Sequence, residues 1–228
     1  MDKCHRFLVH LGCGPFAKPT RWIDYDGSWN ARVNSWPRPM ADLLRRFAKK
    51  AGGGQTPFPS HIRYLDIRKR FPFDDQSVDV IYAAHVWEHL AFSTAIQATQ
   101  ECYRVLKTGG VLRLVVPNLR DFVEEYLNSN EPDSAMTLNR KLHYRSFEEC
   151  RSLIYSIYLG FTDFHHHRFM YDPPQLISLL KRNGFTKVSE RRFLESQIEE
   201  IIDLESEMRI GRDKGFVIEA LKLDRVTA

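Results

Sequence analysis

The chain has 228 residues, 43% of them apolar and 27% charged, which suffices for one large domain with a buried core. Its net charge of +4 is small and scattered, which is no footprint for nucleic acid, and no apolar run is long enough to span a bilayer. Met1–Arg6 carries no apolar leader, and the four cysteines (Cys4, Cys13, Cys102, Cys150) have no CxxC spacing, so a cytoplasmic protein with reduced thiols is expected.

In chain order, the first strand-like run is Phe7–Leu11, which breaks into Gly12-Cys13-Gly14. The connection Pro15–Thr20 is too short and proline-rich for a helix, although a full helix is usual between the first two strands of such a fold. A second strand, Arg21–Tyr25, runs out at Asp24 and Asp26. Pro39–Ala51 reads as an amphipathic basic helix followed by a flexible loop, Gly52–Gln55. The third strand, Ile62–Leu65, closes on Asp66 and Ile67, and the fourth, Val78–Ala84, opens into His85-Val86-Trp87-Glu88-His89. Ala95, Ala98, Cys102 and Val105 recur at helical spacing in Phe92–Leu106, and Gly109-Gly110 behind them suit a left-handed cap.

A fifth strand follows at Val111–Val116 and a helix at Leu119–Leu127. Asn128–Tyr144 is polar and reads as a surface break, with helical periodicity resuming at Ser146–Leu159. Pro173–Asn183 is a helix that Gly184 ends. Two closing strands, Lys187–Phe193 and Phe216–Leu223, flank an acidic helical stretch at Glu195–Met208. The alternation predicts an α/β fold: a Rossmann-like, mostly parallel sheet with helices on both faces, a shortened first connection and a C-terminal antiparallel strand pair. Residues 1–228 form a single domain in this reading, with 128–170 as a cover on the acceptor side.

Glycines directly behind an apolar strand let the backbone approach a bound cofactor, because glycine accepts positive φ and has no Cβ. A carboxylate ending the second strand is placed to accept both hydroxyls of an adenosine ribose: Asp26 is the first candidate and Asp24 its competitor. The missing third glycine argues against a plain NAD dehydrogenase, and acidic residues at this point disfavour a 2′-phosphate. His85 and His89 follow the fourth strand at the edge where open α/β sheets bind ligands, four residues apart and so on one face of a helix. A histidine suits a general base at neutral pH, and His85 is the better placed of the two, while Glu88 reads as a structural partner. His165-His166-His167 invites a metal reading, but adjacent side chains point in different directions, so no metal ligand set is assigned.

These pieces resemble the class I S-adenosylmethionine-dependent methyltransferases, in particular the small single-domain methyltransferase-11-like group. The resemblance rests on residues 10–14, 22–31, 64–67, 71–82 and 85–90, with Glu-Cys-Tyr-Arg-Val-Leu-Lys-Thr-Gly-Gly-Val-Leu-Arg at 101–113 as the most specific piece. It returns at His-Arg-Phe-Met-Tyr-Asp, 167–172. It implies S-adenosyl-L-methionine as cofactor, with Gly12, Cys13 and Gly14 near its methionine part and Asp26 on the ribose. It also implies Asp66 and Ile67 at the adenine, and His85 near the sulfonium. His167, with His85 and His89, then falls in the catalytic region, and Arg168 and Tyr171 line the acceptor pocket; Tyr171-Asp172 before two prolines equally suit helix initiation. The implied activity is methyl transfer to a small-molecule or sugar-like acceptor, at oxygen or nitrogen, with a homodimer left open as the assembly. Two alternatives stand beside it: a non-catalytic S-adenosylmethionine-binding module acting through a partner, and a non-methylating reaction on the same fold.

Overall fold

The computed structural model describes residues 6–43, 59–143, 166–207 and 215–224. Seven strands make one sheet: β1 (Leu8–Leu11), β2 (Ile23–Asp26), β3 (Arg63–Tyr64), β4 (Val78–Ala84), β5 (Leu106–Pro117), β6 (Thr186–Arg191) and β7 (Gly215–Leu221). Their order is β3-β2-β1-β4-β5-β7-β6. Strands β1 to β5 pair in parallel, and β7 runs antiparallel to both β5 and β6, as the sequence led us to expect. Central β1 is buried along its whole length, His10 included, which is why its sequence does not alternate between apolar and polar residues. Edge strand β6 is largely exposed and carries Lys187, Glu190 and Arg191, charges that discourage pairing with another chain.

Each face of the sheet has its own core. On one, Val9, Leu11, Ile81, Leu112, Leu114 and Ile218 meet Ala95 and Ala98 of helix α2 (Phe92–Val105) and Leu176 and Leu180 of helix α5 (Pro173–Arg182). On the other, Leu8, Val80, Tyr82, Val115 and Val217 meet Trp22, Ile198 and Ile201. This second cover is not the α-helix expected at Glu195–Met208. Its central part forms a short 3-10 turn, at Glu199–Asp203. The segment is held by side chains instead. Buried Arg113 of β5 donates from Nε and Nη2 to Glu205 at 2.6 and 2.8 Å, and from Nη1 to Glu219 at 3.1 Å. It also donates to the carbonyls of Glu195 and Arg192, at 3.0 and 3.2 Å.

Three further elements depart from the sequence reading. Helix α1 (Trp29–Asn34) follows β2 directly, capped by the Ser28 hydroxyl, and its six residues are too few to show a period. Helix α4 (Ser134–Lys141) occupies the expected polar break; it buries no side chain, so it has no apolar stripe to read. Gly109 and Gly110 do not cap α2, which ends in extended backbone at Leu106. Gly109 (φ +81) instead sits in the irregular start of β5, donating to the Lys222 carbonyl at 2.7 Å. By contrast α3 (Leu119–Leu127) and α5 stand where expected, the latter capped by the Asp172 carboxylate with prolines in its first turn. Residues 38–43 begin the helix expected at Pro39–Ala51. The rest of that helix, the Gly52–Gln55 loop, Ser146–Leu159 and His165 lie outside the described residues. Among the described residues, no helix is long and apolar enough to cross a membrane.

The connection from β1 to β2 holds no helix, as its prolines and length led us to expect. The chain leaves β1 toward β2 and β3, then returns to the far side of β1 as β4. The crevice where a doubly wound sheet binds its ligand therefore opens between the ends of β1 and β4.

Candidate active site

At that crevice β1 gives way to Gly12 (φ +67) and Gly14 (φ +70), both in the left-handed region. The Gly12 and Cys13 amides donate to the Tyr25 carbonyl at 2.8 and 3.2 Å, stitching the loop to β2. A Cβ on Gly12 would stand 2.3 Å from Val86 Cγ2, so the loop packs directly on the residue after His85. A Cβ on Gly14 would meet nothing within 4 Å. Cys13 is buried with Ala31 and Ile62, a small apolar filler.

The loop is closed by Asp26. Its Oδ2 accepts from the Gly14 amide at 3.1 Å and its Oδ1 from the Ser28 amide at 2.8 Å. Each carboxylate oxygen has two acceptor sites, so one on each is left for a ligand's hydroxyl pair. Asp24, the competitor, is buried and accepts from His10 Nδ1 at 2.7 Å, with His61 Nε2 at 3.4 Å from its other oxygen. An open space beside Gly14, bordered by a fixed carboxylate, fits a nucleoside with a vicinal diol.

Asp66 and Ile67 follow β3 next to this loop, since the Leu65 amide donates to the Asp26 carbonyl at 3.1 Å. Arg68 grips the Asp66 carboxylate with Nε at 2.8 Å and Nη2 at 2.9 Å. Burial works to raise the acid's pKa, but these bonds outweigh it and hold the carboxyl below its ordinary range. A ligand reaching Asp66 would share it with Arg68.

Beyond β4, His85 takes φ +55 and turns the chain into the 3-10 turn Trp87–His89. The turn places the wholly buried Glu88 carboxylate 3.3 Å from His85 Nδ1 and 4.0 Å from His89 Nε2. The 166–171 segment docks onto the same turn, because the Arg168 and Phe169 amides both donate to the Glu88 carbonyl, at 2.7 and 3.2 Å. His167 thereby meets His89, ring centroids 5.0 Å apart, and His143, at 5.1 Å. Burial, only partly offset by Glu88, pushes the His167 pKa down to about 4.

The structure thus gathers Gly12, Cys13, Gly14, Asp26 and His85 around one crevice, with His89 and His167 a turn further on. Tyr171 is wholly buried against Phe169 and Arg168 is exposed, so of the 167–171 stretch it is His167 whose ring meets the turn. Glu88 and His143 belong to the same cluster. Sequence reasoning gave Glu88 only a supporting part and passed over His143, which lies in the polar stretch before the undescribed residues.

The sequence profile of the methyltransferase-11 family, described as a methyltransferase domain, matches residues 9–114. No curated protein is matched by the chain. Among solved structures, a chain of the complex containing the Haloferax volcanii Trm112 methyltransferase activator aligns with TM-score 0.47 and 13% identity, over 96% of this chain and 83% of that one. A Thermotoga maritima SAM-dependent methyltransferase aligns with TM-score 0.44 and 16% identity, over 95% and 82%. Haemonchus contortus phosphoethanolamine N-methyltransferase 2 aligns with TM-score 0.45 and 12% identity over 96% of this chain, which spans 49% of that protein. The matched residues run from β1 into β5 and include the glycine loop, both strand-end carboxylates and the His85–His89 turn, so this part of the chain is similar to a methyltransferase domain.

Proposed function

We propose that the chain binds S-adenosyl-L-methionine at the Gly12–Asp26 crevice and methylates an oxygen or nitrogen of a small-molecule or sugar-like acceptor. The observation that carries this is the closed loop itself: two positive-φ glycines, Asp26 fixed by two amides, and His85 adjoining through Val86. Gly12, Cys13 and Gly14 would flank the methionine part, Asp26 the ribose hydroxyls, and Asp66 and Ile67 the adenine. The cofactor supplies an activated methyl group, and an in-line displacement asks the protein chiefly for orientation and exclusion of water. An acceptor protonated in solution also needs a base. His85 takes that role, because His167 at about 4 is a poor proton acceptor at neutral pH. His89, His167 and Arg168 bound the acceptor side.

Calorimetry on the full chain tests the cofactor reading. S-adenosylmethionine and S-adenosylhomocysteine are expected to bind saturably and NAD not at all. Asp26→Ala is expected to weaken S-adenosylmethionine by about 2 kcal/mol, on the order of 30-fold, through loss of a charge-assisted pair of hydrogen bonds. An unchanged affinity would remove Asp26 from the site.

His85 separates an enzyme from a binding module. Because its φ is +55, asparagine is the replacement that keeps the backbone unstrained. His85→Asn is expected to leave S-adenosylmethionine affinity within about twofold while lowering turnover on a hydroxyl acceptor by about 10²-fold or more. Equal losses in both would put His85 in the cofactor shell.

A further inference from the structure

We propose that Glu88, His89 and His167 form a binding site for one divalent first-row transition ion, Zn²⁺ in character. One ligand atom from each lies within 4.8 Å of the others. An ion about 2.1 Å from each would need them about 3.3 Å apart, a closure within reach of small side-chain rotations. Of His166 and His167, the described members of the histidine run, it is His167 that takes part; the other two ligands come from the turn behind β4, far away in sequence.

Three observations distinguish this cluster from a chance meeting of polar groups. First, the Glu88 carboxylate is wholly buried, and among the described residues neither of its oxygens accepts a hydrogen bond. An ionised carboxylate in that position has lost its water without gaining donors, a cost that a bound cation removes. Second, His167 Nδ1 is buried and likewise without a hydrogen bond among the described residues. Third, His89 is oriented as a ligand. Its Nδ1–H donates to the His166 carbonyl at 3.2 Å, which leaves the Nε2 lone pair toward Glu88. Histidines bound to metals are fixed this way, one ring nitrogen on a backbone carbonyl and the other on the ion.

Two imidazoles and one carboxylate are a donor set for Zn²⁺, Co²⁺ or Fe²⁺ rather than for Mg²⁺, which prefers oxygen and water. The three ligands found among the described residues leave a position open, as catalytic rather than structural sites do. The cluster adjoins His85, whose Nδ1 is 3.3 Å from Glu88 Oε1. If the methyl-transfer reading holds, the open position receives the acceptor's oxygen and lowers the pKa of its hydroxyl, with His85 beside it to take the proton.

The test uses the tag-free full chain, stripped with chelator and titrated with Co²⁺. One equivalent is expected to bind with a visible absorption band, to be displaced by Zn²⁺, and to be ignored by Mg²⁺. Zn²⁺ is also expected to raise the melting temperature of the wild-type chain. Glu88→Gln and His167→Ala are each expected to bind at least tenfold more weakly, with unchanged circular dichroism. The absence of stoichiometric Co²⁺ or Zn²⁺ binding by the wild type, together with no rise in melting temperature, would overturn the site whatever the variants do. So would wild-type affinity in both variants. Metal binding is read without S-adenosylmethionine, so failure of the methyl-transfer reading would leave it standing. Methyl transfer unaffected by chelator would refute only the acceptor role.

Discussion

Arg113→Met is expected to destabilise the chain by about 3–5 kcal/mol, read as a fall in the urea midpoint with the slope followed at the same time. The guanidinium is wholly buried and sits between two carboxylates, Glu205 and Glu219, that are themselves buried. Methionine fills the volume but leaves buried Glu205 without its cation and Glu219 with Arg191 Nε at 3.7 Å in place of a direct hydrogen bond from Arg113. Two carbonyls, those of Arg192 and Glu195, lose their donor as well. The damage should concentrate on 192–205, because this one side chain joins that segment to β5. Glu205→Gln is expected to cost clearly less, since Arg113 keeps Glu219 and both carbonyls. Equal midpoints for the two variants would show that the arginine is not the hub of the network.

The second large effect is expected at Gly12. Gly12→Ala meets two independent penalties: a left-handed backbone, about 1–2 kcal/mol, and overpacking against Val86, about 1–3 kcal/mol. Together they should lower stability by about 2–5 kcal/mol and abolish the calorimetric signal for S-adenosylmethionine. Gly14→Ala separates the two, because Gly14 has the same φ but nothing within 4 Å of its absent Cβ. It should show the backbone penalty alone. Val86→Ala in the Gly12→Ala background should return part of the difference. Identical stabilities for Gly12→Ala and Gly14→Ala would mean that the Val86 contact carries no weight.

The elements that could be read from sequence were those whose side chains are sorted by burial. Helix α2 repeats its buried Ala95, Ala98, Cys102 and Val105 at threes and fours, and β4 was bounded to the residue by its apolar run. Helix α4 buries nothing and α1 is shorter than two turns, so neither leaves a period to detect. The acidic segment after β6 misled for a different reason. Its Glu200 and Glu205 look like a solvated helix face, yet both are buried, partnered by Arg6 and Arg113 across the fold. The candidate site divides along the same line. Gly12, Gly14 and Asp26 act through local backbone geometry, and local sequence carries that. The cluster of Glu88, His89 and His167 exists only because the 166–171 segment lies across the turn behind β4, and no spacing in the sequence encodes that approach.

The helix-free connection between β1 and β2 has a consequence for how a ligand is met. Its loop is tied down by the Tyr25 carbonyl and the Asp26 carboxylate through three hydrogen bonds, with Gly12 and Gly14 already in their left-handed conformations. The entropy of ordering those residues is therefore lost when the chain folds, and association need not repeat the loss. A receptor prepared in this way meets its ligand as a rigid cleft, so its association should be a single fast step with no slow rearrangement of the loop following it.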